Sequence, residues 1–133
     1  MKVFVDSDVV ISSLISDTGA SAQLLKTNND IVKVISNLSI KELKIVMTRL
    51  KIDKPLPKLK IIIIDNFKKY SVYSTDPNDA HIVAGAHQVK VKFLITYNLK
   101  HYKIEKIKRN LNIIVMTPGI FLQYLRLGKK VIN

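Results

Sequence analysis

Apolar and polar positions alternate along the chain in short blocks, each about the length of one strand or helix. The first apolar block, Val3 to Val5, is short and made of β-branched and aromatic residues, which predicts a strand. It stops at Asp6, and the apolar residues that follow, from Val9 to Ile15, recur at roughly helical spacing. The pattern predicts a strand that leads into a helix through an acidic turn, as at the start of many α/β domains.

The same alternation continues through the first half of the chain. After a break at residues 16–19, a short helix is predicted over Ala20–Lys26 and a strand over Ile31–Ile35. Apolar residues at helical spacing then predict a helix that begins at Ser39 and carries its apolar face to Leu50.

The second half is predicted from turn signals as well as from apolar spacing. The run Asp76-Pro77-Asn78-Asp79 places an N-cap residue, a first-turn proline and an acid ahead of a helix that extends to about Val89. Strands are predicted over Phe93–Thr96 and Ile113–Met116, and Thr117-Pro118-Gly119 opens a last helix. The strand Phe93–Thr96 is followed by a predicted polar turn over Tyr97–Tyr102.

One stretch, Leu59–Tyr70, fits two structures. Ile61–Ile64 have the residue types of a buried strand, whereas the wider spacing from Leu59 to Tyr70 matches one face of a helix. Periodicity alone does not separate the two for short apolar runs, and we favour a helix here. Val72–Tyr73 is interpreted as a brief strand.

Strands that alternate with helices predict an α/β protein with a parallel sheet and helices on both faces. With 133 residues, the chain is expected to form one domain, residues 1–133, and to bury roughly two thirds of its unfolded surface. No apolar run approaches the roughly 20 residues of a membrane span, and Asp6 and Asp8 interrupt any signal-peptide core. The absence of cysteine excludes disulfides and thiolate metal sites and fits a cytoplasmic location.

The net charge of +12 is unevenly distributed. From residue 80 onward there are ten Lys and Arg residues and one acid, whereas the first 79 residues carry twelve basic and nine acidic residues. This asymmetry favours a polyanion partner on one side and a cation site elsewhere, although lysine can also serve solubility alone.

Three acids occupy comparable places in the predicted elements. Asp6 follows the first strand, Glu42 lies one turn into the third helix, and Asp79 lies in the first turn of the next. The carboxyl ends of parallel strands share one rim with the helix starts, so these carboxylates are expected to converge there, where Asp76 and Asn98 could join them. A hard divalent ion such as Mg²⁺ or Mn²⁺ would relieve their repulsion and could act on a phosphodiester.

Each acid also has a structural explanation. Ser39-x-x-Glu42 is a capping-box pattern and Asp76-x-x-Asp79 is nearly one, so both could serve only to close helix starts. Asp8 is interpreted as a first-turn acid favoured by the helix dipole, with a supporting role at the site as the alternative. Asp6 is harder to explain by structure, because an acid that ends a buried strand needs a partner.

Other chemistries find little support. His81 and His87 are six residues apart on one predicted helix, which suits core-edge or surface roles better than a shared metal. His101 lies beside Lys100 and Lys103, where it could contact phosphate or simply be exposed. No glycine-rich phosphate loop and no serine-nucleophile elbow occur in the sequence.

Four segments, taken in order, resemble the PIN-domain nucleases, a family that includes the VapC-type toxins. They are Val3–Ser12 (VFVDSDVVIS), Ser39–Leu43 (SIKEL), Asp76–Ala84 (DPNDAHIVA) and Leu94–Tyr102 (LITYNLKHY). The resemblance implies a three-layer α/β/α sandwich around a central parallel sheet and a Mg²⁺- or Mn²⁺-dependent ribonuclease. In this resemblance Asp6, Glu42 and Asp79 match the first three acids of the family.

The fourth acid of the family is where this chain departs. The family often has an aspartate in the turn after the fourth strand, and here Asn98 and His101 occupy the candidate places. The acid is therefore absent or supplied by Asp76. The usual asparagine of the first motif is Asp8 in this chain, which would partly restore the lost charge.

The hypothesis that follows is an endoribonuclease in which Asp6, Glu42 and Asp79 hold the ion, with Asp76 and Asn98 as further ligands. The expected RNA-binding residues are basic: Lys100, His101, Lys103, Lys106, Lys108 and Arg109. The alternatives are a weakened PIN-like module that binds RNA or regulates without catalysis, and a domain that only contacts protein partners. The expected partners are RNA, an antitoxin protein and a second copy of the chain, with no membrane.

Overall fold

The computed structural model of the chain describes residues 1–27 and 30–132. In this part, five strands form one sheet: β1 Lys2–Val5, β2 Val32–Ser36, β3 Lys60–Ile62, β4 Phe93–Ile95 and β5 Ile114–Met116. The α-helices are α1 Ser7–Ile15, α2 Ala20–Thr27, α3 Asn37–Arg49, α4 Ala80–Gln88, α5 Ile104–Leu111 and α6 Pro118–Ile132. Short 3₁₀ helices cover Lys68–Tyr73, Pro77–Asp79 and Leu99–His101.

All neighbouring strands are parallel, in the spatial order β3-β2-β1-β4-β5. The chain runs outward from β1 to β2 and β3 and then returns to the other side of β1 for β4 and β5. The order therefore reverses between β1 and β4, where Val5 pairs with Ile95. In open α/β sheets, ligands bind beyond the carboxyl ends of the strands at such a reversal.

Side chains of β1 point alternately to the two faces of the sheet, as the pleat requires. Val3 and Val5 pack in a core with residues of α1, α2, α3 and α6, whereas Phe4 packs in a second core with residues of α4 and α5. Helices thus cover both faces, and the expected three-layer α/β/α sandwich with a parallel sheet is confirmed.

Helix α4 lies unusually close to β1 because residue 85 is glycine. A Cβ atom there would lie 2.5 Å from Cζ of Phe4 and 3.1 Å from Cδ1 of Ile64. No side chain fits in that space without moving the helix or the ring.

The helix expected over Leu59–Tyr70 was wrong. The backbone of β3 pairs with β2, Ile61 opposite Ile35, and the side chains alternate, with Ile61 and Ile63 exposed and Ile64 buried. The hydrogen bonds between β2 and β3 favour a strand here, and the spacing of apolar residues in the sequence does not show them.

Two further differences occur in the second half. Val72–Tyr73 lies in a 3₁₀ helix rather than a strand, and the neighbouring Ser74 makes an isolated antiparallel bridge with Tyr102. Helix α5 was not predicted, although its apolar residues Ile104, Ile107 and Leu111 follow a helical spacing. The other predicted strands and helices are confirmed to within a few residues.

Candidate functional site

A cavity of about 710 Å³ opens beyond the carboxyl ends of β1 and β4. Its ionisable and amide side chains are five acids, two amides and one imidazole: Asp6, Asp8, Glu42, Asp76, Asp79, Asn78, Asn98 and His101. The four acids and Asn98 that the sequence predicted at this rim therefore line one cavity, together with Asp8, which was predicted only as a first-turn acid. An apolar wall of Ile11, Ile15 and Val46 lies beside them.

Asp6 is held firmly at the end of β1. Its backbone N–H donates to the Ile95 carbonyl at 3.0 Å, which ties it to β4. Its Oδ1 accepts from the Ser7 N–H at 2.7 Å and thereby caps α1. Its Oδ2 accepts from the hydroxyls of Thr96 at 3.0 Å and Tyr102 at 2.8 Å. These donors are the partners that a carboxylate, only 7% exposed, needs at this position.

Asp8 lies in the first turn of α1, as expected, but its side chain reaches away from that helix. Its Oδ2 accepts from the Tyr97 N–H at 3.0 Å and from the Thr96 hydroxyl at 3.3 Å. Its Oδ1 is buried and has no hydrogen-bond donor in the described part of the chain. Burial, together with the nearby charge of Asp6, raises the pKa of Asp8 to about 7.

Glu42 does not close a capping box with Ser39. The N-cap of α3 is Ser36, whose hydroxyl accepts from the Ser39 N–H at 3.0 Å. Ser39 is therefore already inside the helix, and Glu42 lies a full turn further on, where its exposed side chain lines the cavity. Partial burial, and then the charges of Asp6 and Asp79, raise its pKa.

Asp76 and Asp79 have different roles at the start of α4. Asp76 is exposed, and its Oδ1 accepts from the Asn78 N–H at 3.0 Å, so the N-cap interpretation of this residue is confirmed. Asp79 is half-buried, and its Oδ2 lies 3.4 Å from Nδ1 of His101 instead of returning to the cap. Burial and the charge of Asp6 raise the pKa of Asp79, and His101 partly offsets this.

Asn98 is exposed at the cavity, and its backbone N–H donates to the Thr96 hydroxyl at 3.1 Å. In the same turn, His101 contacts Asp79 rather than standing apart with the lysines. The oxygen-rich donor set suits a hard divalent cation, and the unpartnered Oδ1 of Asp8 points to the same chemistry. Within residues 1–27 and 30–132, however, no group of three or more Asp, Glu or His side chains is already arranged to hold a metal ion.

Two residues that support these acids, Thr96 and Tyr102, were not predicted to do so. Thr96 was interpreted only as a strand end and Tyr102 as part of a polar turn. Both are buried, and burial together with the charge of Asp6 strongly raises the pKa of the Tyr102 phenol. Tyr102 therefore stays protonated and donates to Asp6. A buried hydroxyl beside a strand end is visible only once the strands are assembled.

The basic residues lie on and before α5. Lys106 lies 5.7 Å from the centre of the Tyr73 ring, and Asn110 on the same side donates to the Tyr73 hydroxyl at 3.4 Å. The Lys103 N–H donates to the Tyr73 carbonyl, so Lys103 also lies beside this segment. Lys108 lies about 200° round the helix from Lys106 and projects from the opposite side.

The remaining members of the predicted RNA-binding set differ in position. Arg109 is exposed three residues after Lys106, on the same side of α5. Lys100 is exposed in the 3₁₀ turn that contains His101. The structure thus brings Lys103, Lys106 and Arg109 to one side, which we call the α5 basic face, and leaves Lys108 outside it.

The two other histidines agree with structural roles. His81 is buried, and its Nδ1 lies 2.8 Å from the Ser36 hydroxyl, beside the edge of Phe67. His87 is exposed, and its Nδ1 lies 2.7 Å from the hydroxyl of Tyr70.

Comparison with known proteins places this geometry in a family. A chain in the crystal structure of VapBC2 from Rickettsia felis, bound to a DNA fragment from their promoter, superposes with a TM-score of 0.57 at 17% identity. The match covers 88% of this chain and 98% of that one, and at this identity it shows the fold alone. A comparison with curated protein sequences gave no match. The family model described as PIN domain matches residues 2–100, and the chain therefore belongs to the PIN-domain family.

Proposed function

We propose that this protein is a divalent-metal-dependent endoribonuclease that hydrolyses RNA phosphodiester bonds, with residues 1–133 acting as one domain. The observation that carries the proposal is the cavity beyond β1 and β4, which Asp6, Glu42 and Asp79 all line. Their mutual charges contribute to the raised pKa values of Glu42 and Asp79. An arrangement that opposes its own ionisation is costly without a cation, and a divalent cation can activate water for phosphodiester hydrolysis.

Asp6, Glu42 and Asp79 would hold Mg²⁺ or Mn²⁺, directly or through water, with Asp76 and Asn98 at the edge of the site. Bound there, the ion would supply an activated water and stabilise charge on the phosphodiester. Glu42 is exposed and Asp79 is half-buried, so both side chains can move towards Asp6 without repacking the core. Such movement would close a site that is not yet assembled in the described residues.

The protein's own residues prepare the site before any ion binds. Thr96 and Tyr102 fix the orientation of the Asp6 carboxylate by donating to one of its oxygens. His101 stands beside Asp79 at the open side of the cavity, where it can donate a proton or a hydrogen bond to a phosphate. The α5 basic face, with Lys100 nearby, would hold the RNA backbone by charge.

Partners follow from the same likeness. The solved neighbour is named VapBC2, a pair bound to promoter DNA, which supports the proposal that this chain is the toxin of a toxin–antitoxin pair. We also propose that it forms a homodimer. None of the helices in the described part of the chain is both long and apolar enough to cross a membrane.

The proposal is tested by Asp6→Asn. The change keeps the size of the side chain and removes its charge, so we expect Mn²⁺-dependent cleavage of RNA to fall at least about 100-fold, beyond the loss typical of supporting residues. Cleavage of a fluorescent mixed-sequence RNA, with a chelator as the blank, measures it. Asp53→Asn makes the same chemical change at an exposed residue and should retain full activity. Full activity in a folded Asp6→Asn variant would contradict the proposal.

One observation favours a second function. The turn after β4 carries the neutral, exposed Asn98 where the family often has an acid, which agrees with a PIN-like module that binds RNA or regulates without cutting it. That module would bind RNA in a salt-sensitive manner and show no turnover in Mg²⁺ or Mn²⁺. Cleavage by the native protein that a chelator abolishes would exclude it.

A further inference from the structure

We propose that Asp8 supplies the fourth carboxylate of the metal site, in place of the acid that is missing from the turn after β4. The inference rests on the proposed function, because it assigns a further residue to the same ion. Asp8, in α1, would provide the negative charge that the turn after β4 lacks.

The first argument is position. Asp8 belongs to α1, yet its Oδ2 accepts from the Tyr97 N–H and the Thr96 hydroxyl, so it is attached to the turn that leads to Asn98. The same Thr96 hydroxyl contacts Asp6 and accepts from the Asn98 N–H. The carboxylate of Asp8 therefore lies at the turn from which the family's acid would come.

The second argument is the unused oxygen. Oδ1 of Asp8 is buried and makes no hydrogen bond with the described residues. A buried acceptor left unpaired is destabilising, and more so when it belongs to a carboxylate beside a second one. A bound cation would satisfy this oxygen and offset the charge.

A purely structural role does not require this carboxylate. An asparagine at position 8 would accept the Tyr97 and Thr96 hydrogen bonds through one oxygen and would not repel Asp6. The negative charge and the second oxygen are therefore unexplained by the turn that Asp8 stabilises. Both have a use if a cation binds.

Asp76, the other candidate for the missing charge, fits less well. It is exposed, and one of its oxygens already caps the turn before α4. Solvent screens its charge, and its contact with the Asn78 N–H gives it a complete structural explanation. The hydrogen bonds that Asp8 accepts account for only one of its two oxygens.

The experiment is a double-mutant cycle on metal affinity, measured without RNA. Mn²⁺ binding is titrated by calorimetry in the native protein, Asp8→Asn, Asn98→Asp and the double variant Asp8→Asn/Asn98→Asp. We expect Asp8→Asn to weaken Mn²⁺ binding about 10- to 100-fold. Asn98→Asp should raise the affinity more in the Asp8→Asn background, where it restores most of what was lost, than in the native chain, because the two positions supply the same charge.

Thermal unfolding of the same four proteins separates a metal role from a structural one. Without metal, Asp8→Asn should unfold at the same or a higher temperature than the native protein, because it removes repulsion with Asp6. Saturating Mn²⁺ should then stabilise it less than it stabilises the native chain. Asp53→Asn is the matched control and should behave as the native protein in both measurements.

The outcomes distinguish the two proposals. If the native protein binds no Mn²⁺, the proposed function fails and this inference fails with it. If the native protein binds Mn²⁺ and Asp8→Asn binds it equally well, only the inference is overturned. An effect of Asn98→Asp that is the same in both backgrounds would also overturn it, because the two positions would then act independently.

Discussion

The acidic cavity and the α5 basic face carry opposite charges in opposite surroundings. In the cavity, Asp6 and Asp8 are largely buried, share Thr96 as a donor and lie close enough for one to raise the pKa of the other. On the basic face, Lys103 and Arg109 are exposed to solvent. The ionisation of the buried carboxylates therefore changes the free energy of unfolding. The exposed basic charges instead affect binding to a polyanion, and salt screens them.

The two regions meet in one short turn. Within it, His101 contacts Asp79 and Tyr102 donates to Asp6, while Lys100 is exposed beside them. Lys103, the first residue of the α5 basic face, directly follows this turn. If the two regions act independently, changes in the acidic cavity should alter stability and cleavage, whereas changes on the α5 basic face should alter RNA binding alone.

The largest expected effect is the pH dependence of folding without metal. An acid whose folded pKa is raised binds more protons when folded, so the free energy of unfolding falls as pH rises between the two pKa values. For Asp8 this interval runs from 3.8 to about 7. We expect Asp8 alone to lower the free energy of unfolding by about 2–3 kcal/mol between about pH 5 and pH 8, measured by urea denaturation with a chelator.

Glu42 and Asp79 act in the same direction, since their pKa values are also raised. His81 acts in the opposite direction, because burial lowers its pKa and the folded protein then binds fewer protons than the unfolded chain. Its contribution makes the free energy of unfolding rise with pH up to about 6.5 and level off above it. The slope should therefore be compared with that of Asp8→Asn, in which every other group is kept. Identical slopes in the two proteins would contradict the burial of a charged Asp8.

The triple variant with alanine at Lys103, Lys106 and Arg109 should affect RNA binding and leave stability nearly unchanged. We expect RNA binding to weaken on the order of 100-fold at low salt, and the slope of log affinity against log salt to fall by about 2. The melting temperature should stay within about 2 °C of the native value, because the charges are solvated. Fluorescence anisotropy at several salt concentrations, with a chelator to prevent cleavage, measures the affinity.

Lys108→Ala is the control for that prediction, because Lys108 lies on the other side of α5 from Lys106. It should weaken RNA binding by less than about threefold, as a distant solvated charge does. An equal loss from Lys108 alone would show that binding depends on net charge and not on the α5 basic face.

A smaller effect is expected from Tyr102→Phe. This change removes the hydroxyl that donates to Asp6 and keeps the ring in the core, so we expect a loss of about 1.5–3 kcal/mol in the free energy of unfolding. Cleavage should fall about 10-fold, because Asp6 loses part of its orientation. Tyr70→Phe removes a hydroxyl from an exposed contact with His87 and should cost less than about 1 kcal/mol. Equal losses from the two variants would contradict the special role of the Asp6 contact.

Much of the fold could be predicted because its signals are local. The strand residues Val3–Val5 are followed directly by the acid that ends the strand. Asp76 and Pro77 are adjacent and begin the 3₁₀ turn that leads into α4. Strand β3 was mistaken for a helix because its conformation depends on β2, which lies about 25 residues earlier in the sequence.

The candidate site divides in the same way. Its acids could be predicted because they follow strand ends and helix starts, which share a rim in any parallel sheet. The part played by Tyr102 could not, since its hydroxyl meets Asp6 across 96 positions of sequence. The capping-box alternative for Glu42 came from a local pattern at Ser39, but the N-cap of the helix is Ser36, three residues earlier. The raised pKa of Asp8 depends on its burial in the folded protein, and a sequence motif does not show how deeply a residue is buried.

The glycine at position 85 has a consequence for the spacing of the acids. Asp79 immediately precedes α4 and Asp6 immediately follows β1, so the gap between these two carboxylates depends on how closely helix and strand approach. That approach is permitted by the missing methyl group opposite the Phe4 ring. Residue 85 belongs to neither carboxylate, yet alanine there would force the Phe4 ring or the helix to move, and any shift of the helix would change the gap between Asp6 and Asp79.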